Sequence, residues 1–135
     1  MEYEDAFQSG ARRFDVGERS SFVLLPMANE ALRRILAWGV DNIAETLSGL
    51  TARIEDEALK LGIKTAPAKR RAGHMIGLRL DPETPEDLAA RLARENVFVS
   101  VRGQNLRVSP HLYNTKEDVD RLFDSLARHV RPVSG

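Results

Sequence analysis

The 135-residue sequence contains no cysteine, which removes disulfides, thiolate metal sites and a cysteine nucleophile together and fits a reducing compartment. Net charge is also missing, with 20 Lys and Arg against 20 Asp and Glu, so no global field draws the chain to nucleic acid or anionic lipid. No apolar run approaches the roughly 20 residues of a membrane span. The acidic start, Met1 to Asp5, has neither the basic nor the apolar region of a secretory signal. Aromatic residues make up only 6% of the chain, too few to interleave with the basic cluster Lys69, Arg70, Arg71 and His74, which therefore reads as a solvated loop rather than a phosphate contact. His74 and His129 have no ligand spacing with any partner, so no metal site is expected. These absences place the chain in the cytoplasm and argue against membrane and nucleic-acid partners.

What is present suits a soluble globular protein: 42% hydrophobic and 30% charged residues, in a length that buries roughly two-thirds of its unfolded surface as one domain. Residues 1–22 show no period, with Gly10 and Gly17 among charges, and read as an extended arm before a domain over 23–135. Pro26 suits the first turn of a helix in which Met27, Ala31 and Ile35 recur up to Trp38, and Gly39 marks a break. Trp38 at that junction reads as core or domain interface. A longer helix follows, because Ile43, Leu47, Leu50, Ile54 and Leu61 share one stripe, and Gly62 suits its cap.

Beyond Gly62 a short strand is expected at Ile63 to Thr65, then a loop to Gly73. Ile76, Leu78 and Leu80 alternate with Met75, Gly77 and Arg79, the pattern of a half-buried strand. Thr84-Pro85-Glu86-Asp87 places a cap hydroxyl, a proline and acidic groups at a helix start, with Leu88 and Leu92 facing inward. Val97, Val99 and Val101 alternate with Phe98, Ser100 and Arg102, Gly103-Gln104 turns the chain, and Leu106 and Val108 return, which reads as a β-hairpin. Asn114 or Thr115 caps a last helix with Val119, Leu122 and Leu126 on its stripe. The order specifies an α+β fold: a small, mostly antiparallel sheet covered on one face by helices.

That layout sends Val97, Val99, Val101, Leu106 and Val108 toward the helices and projects Arg102 and Arg107 from the opposite face. Two guanidinium forks converging on an uncovered sheet suit a carboxylate or phosphate. Val101-Arg102-Gly103, followed by Leu106-Arg107-Val108-Ser109-Pro110-His111-Leu112-Tyr113-Asn114-Thr115, resembles the C-terminal signature of class V aminotransferase-like enzymes. Arg12 to Gly17 resembles the segment by which these proteins enter their small domain. Trp38 to Ile43 is similar to their helix junction, so the resemblance runs in order along nearly the whole chain.

The resemblance implies the C-terminal small domain of a fold type I pyridoxal-phosphate enzyme, usually a homodimer, in which a large domain holds the cofactor and the small domain closes over an amino-acid substrate. On that basis Arg107 matches the grip on the substrate α-carboxylate, Arg102 a second arginine at the site's edge, and His111 a residue lining it. Gly17 and Ser20 stand where the family's phosphate contact from the neighbouring subunit lies, but Glu18 replaces the expected threonine, and a carboxylate beside a phosphate is unfavourable unless Arg19 offsets it. Only Gly103 to Leu106 separate the two arginines, so the cysteine-bearing insert of the desulfurase branch is missing; aminotransferase, lyase and epimerase remain. None of the four lysines matches the family's lysine position, so no catalytic residue is expected in this chain and pyridoxal phosphate is not expected to bind it stably alone. The alternative function is a stand-alone protein- or anion-binding module without catalysis.

Overall fold

Ser21 begins the first regular helix by accepting the Leu24 N–H on its hydroxyl at 3.3 Å, and α1 (Leu24–Trp38) carries Pro26 in its first turn, where a missing N–H is no loss. The structure, a computed structural model, describes residues 6–15 and 21–130. Gly17, Glu18 and Ser20 lie outside the described residues. Contacts divide the chain into two units, residues 1–38 and 39–135. Among its described residues the first unit holds a 3-10 helix at Gly10–Phe14 and α1, and neither element buries a residue. Trp38, the last residue of α1, is about half exposed.

The second unit contains the core. Here α2 (Val40–Lys60) buries Leu47, Leu50 and Ile54 of the expected stripe and adds Thr51 and Ala58, while Ile43 and the flanking Leu61 are only partly buried. Its end is closed by a paired bond: Gly62 takes φ 71, Ile63 donates to the Ala58 carbonyl at 2.9 Å, and Gly62 donates to Leu59 at 3.0 Å. The second helix of this unit, α3 (Leu88–Arg94), closes identically: Asn96 takes φ 60, Val97 donates to Leu92 and Asn96 donates to Ala93. Both closures satisfy open carbonyls and bury the residue that follows the left-handed position, Ile63 or Val97.

Three strands form one antiparallel sheet: β1 (Ile76–Arg79), β2 (Ser100–Arg102) and β3 (Asn105–Val108), in the order β1-β3-β2. One face carries Ile76, Leu78, Leu106 and Val108, all buried against α2, α3 and α4 (Lys116–His129), which supplies Val119, Leu122, Phe123 and Leu126. The fold is α+β with helices over one sheet face, as the sequence pattern specifies. Thr115 and Asp118 form a reciprocal capping box at the start of α4, with the Thr115 N–H donating to Asp118 at 3.0 Å.

Three local expectations change. The helix expected at Thr84 starts at Leu88, because the Asp81 side chain takes the Glu83 N–H at 2.8 Å and two successive turns precede the helix, Thr84 donating to Asp81 and Leu88 to Pro85. The Thr84 hydroxyl is buried and caps nothing. The strand expected from Val97 pairs only from Ser100. Val97 spends its N–H on closing α3, and continuing the register would set it opposite Pro110, which has no donor. The strand expected at Ile63 to Thr65 is reduced to one bridge, Thr65 with Leu78, supported by the Arg79 N–H on the Lys64 carbonyl at 2.8 Å.

Ion pairs fasten the loops to this core. Arg71, its side chain only 8% exposed, binds Glu55 at 2.8 Å and the Ala66 carbonyl at 2.8 Å, so part of the basic cluster is a structural clamp. Gly73 lies so near α2 that a Cβ there would stand 2.4 Å from the Ser48 hydroxyl, and its carbonyl accepts the buried Thr51 hydroxyl at 2.8 Å. Glu95 joins the end of α3 to α4, accepting from Ser125 at 2.6 Å, from Arg128, and contacting His129 at 2.7 Å.

Leu106, fully buried at the sheet centre, should cost about 2–5 kcal/mol when cut to Ala, measurable by urea unfolding. Bonds from Ser125, Arg128 and His129 hold the Glu95 carboxyl down at about 2, below its ordinary 4.5. A depressed carboxyl contributes stability above its unfolded value that is lost as pH falls through its folded one. The melting temperature should therefore drop between about pH 5 and pH 2, and Glu95→Gln should flatten that slope; an unchanged slope would remove Glu95 as the acid-sensitive link.

Candidate functional site

The alternation that buries Leu106 and Val108 points Arg107 out of the other sheet face, since successive strand residues face opposite ways. β3 is the central strand, so Arg107 stands mid-sheet, opposite Gly77 on β1 and Ser100 on β2. One pair along, Asn105 lies between Arg79 on β1 and Arg102 on β2. Diagonal neighbours in such a ladder are about 7–8 Å apart, within reach of long side chains. Arg107 thus has an arginine diagonal on each side.

Arg107, Gly77, Asn105, Arg79 and Arg102 line a shallow concavity of about 500 Å³ with Lys64, Thr65, Ala66 and Met75. The structure brings Arg102 and Arg107 together, as the hairpin implies, and adds Lys64 and Arg79. Arg79 was legible as the outward residue of the β1 alternation. Lys64 was not, because only the isolated bridge to β1 carries it to the sheet. Val101 faces the helix side opposite Leu106 but stays partly exposed on the edge strand, so the helices do not fully cover it.

Among the described residues, the charges of this face have no acidic partner. Arg79 donates only to the neutral Gln104 side-chain oxygen at 3.0 Å, and no carboxylate lines the concavity. Unneutralised like charges this close repel, and the guanidinium fork matches a carboxylate or phosphate bidentately. The concavity can therefore hold an anion. It does not suit pyridoxal phosphate as a resident group: around Lys64 it offers neither a carboxylate for the pyridine nitrogen nor an aromatic ring for stacking.

His111 lies in the loop after β3, exposed, with its ring stacked on Tyr113 at 4.9 Å between centroids. The loop is held by Asn114, whose side chain accepts the His111 N–H at 2.8 Å. His111 does not line the arginine concavity. Tyr113 borders a different one of about 260 Å³, together with Phe98, Asn96 and Arg121. Hydrogen bonding to Thr115 and Asn114 holds the Asp118 carboxyl below its usual range and keeps the cap beneath this loop charged. Because Arg107 has no protein partner here, Arg107→Gln should leave stability within about 0.5 kcal/mol, whereas Arg71→Gln, which strips the Glu55 clamp, should lower the melting temperature; a large loss from Arg107→Gln would show a structural role instead.

No protein-family model matches the sequence. The uncharacterized aminotransferase YcbU of Bacillus subtilis (strain 168) is 28% identical over 126 residues, covering 93% of this chain and 33% of its own length. The uncharacterized aminotransferase C777.03c of Schizosaccharomyces pombe is 31% identical over 126 residues, covering 90% and 31%. The chain thus spans about a third of the length of these relatives. Among solved structures, the NifS-like protein superposes with a TM-score of 0.69 at 20% identity over 90% of this chain and 37% of its own. The alanine–glyoxylate aminotransferase of Nostoc sp. gives 0.67 at 22% over 88% and 34%, and the cysteine desulfurase of Thermococcus onnurineus gives 0.64 at 22% over 73% and 28%; likeness at this identity speaks for the fold. Signature, relatives and fold agree that the chain is related to the class V aminotransferase-like proteins of fold type I, whose families use pyridoxal phosphate, and that it takes the form of their C-terminal small domain.

Proposed function

We propose that this chain is the substrate-closing domain of a pyridoxal-phosphate enzyme acting on an amino acid, with Arg107 as the carboxylate grip. The observation that carries the reading is the position of Arg107: mid-sheet, on the face opposite α2, α3 and α4, without an acidic partner among the described residues. When bound, the cofactor supplies the electron sink for chemistry at the substrate α-carbon. That group belongs to a larger domain in this reading, since the concavity lacks the residues to hold it. The chain's own part is to bind and orient the substrate carboxylate and to shield the reacting centre from water as it closes.

Arg102 in this reading borders the same site from the edge strand, while His111, stacked on Tyr113 outside the arginine concavity, meets the substrate only from the loop after β3. Gly17 and Ser20 are retained as weak phosphate contacts to a neighbouring subunit of a homodimer. The substrate-closing unit is taken as residues 23–135, with 1–22 as its entering arm, in the cytoplasm. The reaction is transamination, lysis or epimerisation rather than cysteine desulfuration. That choice is supported by the tight hairpin: Arg102 pairs with Asn105 across a two-residue turn, Gly103-Gln104, leaving no insert to carry a cysteine.

In the polypeptide that joins this domain to a cofactor domain, Arg107→Gln should raise KM for the amino acid by about 10- to 100-fold, the worth of a hydrogen bond to a charged group. Cofactor absorbance should be unchanged. An unaltered KM with an intact absorbance spectrum would remove Arg107 from the substrate grip.

A further inference from the structure

We propose that Lys64 and Arg79 form a second anion subsite beside Arg107, so that the open sheet face takes a dicarboxylate: an acidic amino acid or its oxo acid, one carboxylate on Arg107 and the other between Lys64 and Arg79. The inference rests on the reading of Arg107 as a carboxylate grip and goes beyond it by naming the substrate class.

The register builds the second subsite. Arg79 lies opposite Asn105, two residues from Arg107 on β3, so it stands diagonal to Arg107, about 7–8 Å away at the backbone. Lys64 reaches the same face because its carbonyl accepts the Arg79 N–H at 2.8 Å, setting the two residues side by side at the sheet edge. Both line the concavity that contains Arg107.

The floor between the two charge centres is formed by small residues. Gly77 stands directly opposite Arg107, and Ala66 lines the concavity beside it. Gly77 is not there for backbone reasons, since its φ is not positive, and it is not required by crowding, since a Cβ would meet only the Asn105 Cβ at 3.8 Å. An unfilled strip thus runs from Arg107 to the Lys64 and Arg79 pair, flanked by the apolar Met75. It suits the short methylene chain between two carboxylates.

Neutral and acidic groups nearby are accounted for. Gln104 positions the Arg79 guanidinium without neutralising it. Glu55, on the neighbouring helix, is engaged by Arg71 and Thr65. Among the described residues two cationic side chains therefore remain uncompensated at one end of the strip and Arg107 at the other, a spacing of about 7–8 Å at the backbone that offers each carboxylate of a dicarboxylate its own cationic partner.

The test is a titration of the 135-residue chain with glutarate and with butyrate, followed by backbone amide NMR at low ionic strength, where surface charge is least screened. Glutarate should bind at least about tenfold tighter than butyrate, the modest worth of an added charge-assisted contact at an exposed site. Its shifts should map to residues 64–66, 77–79 and 105–107. Arg79→Gln and Lys64→Gln should each cut the preference by weakening glutarate more than butyrate, and Gly77→Leu should weaken both ligands while the remaining spectrum stays folded. Equal affinities, no glutarate binding, or a preference that survives both Arg79→Gln and Lys64→Gln would overturn the second subsite. The grip itself fails separately, if Arg107→Gln leaves butyrate affinity untouched.

Discussion

The alternation Leu106, Arg107, Val108 on the central strand is the constraint on which the rest depends. Leu106 is fully buried and Val108 nearly so, and together with Ile76 and Leu78 they form the sheet's contribution to the core. Because the side-chain period of a strand is two, that burial leaves Arg107 only the opposite face. A slip of one residue would drive a guanidinium into the helix layer, where an unpaired charge is prohibitively costly. Packing of the core and presentation of the anion site are therefore one structural decision.

The three helices that cover the buried face are held by different means. Capping geometry closes α2 and α3 through a left-handed residue, and the Thr115 and Asp118 box opens α4. Ion pairs then span elements distant in sequence: Arg53 with Asp120 at 2.6 Å ties α2 to α4, Glu55 with Arg71 ties α2 to the loop before β1, and Glu95 ties α3 to α4. These carboxylates take up cations on the helix side of the molecule. Among the described residues the opposite sheet face keeps its cations without an acidic partner, a cationic patch on a chain of zero net charge.

That segregation agrees with the proposed role of a substrate-closing domain in a chain that spans about a third of the length of its aminotransferase relatives. The concavity is lined by Lys64, Arg79, Arg102 and Arg107 and lacks the carboxylate and aromatic partners that would hold pyridoxal phosphate. In the proposed role the domain recognises and encloses, while the reacting group sits elsewhere. Under the proposed dicarboxylate subsite, selection among substrates would fall to the strip from Arg107 to Lys64 and Arg79 and would discriminate by charge number.

Local chemistry written in neighbouring residues was enough to place α2, α4, β1 and the hairpin, and to face Arg102 and Arg107 together, because periods of two and of three to four encode burial directly. The resemblance of the arginine signature carried the family. Tertiary structure decided what depends on competition between distant groups. Thr84 has the composition of a cap, yet Asp81 captures the preceding turn and the helix waits until Leu88. Val97 belongs to an alternating run, yet its N–H is consumed by the end of α3 and Pro110 offers no partner. Arg71 reads as one of a basic cluster until Glu55 proves to be its partner. Lys64 becomes part of the anion face only through a bridge to β1, because pairing between segments, which no local period records, sets which charges meet and which are left open.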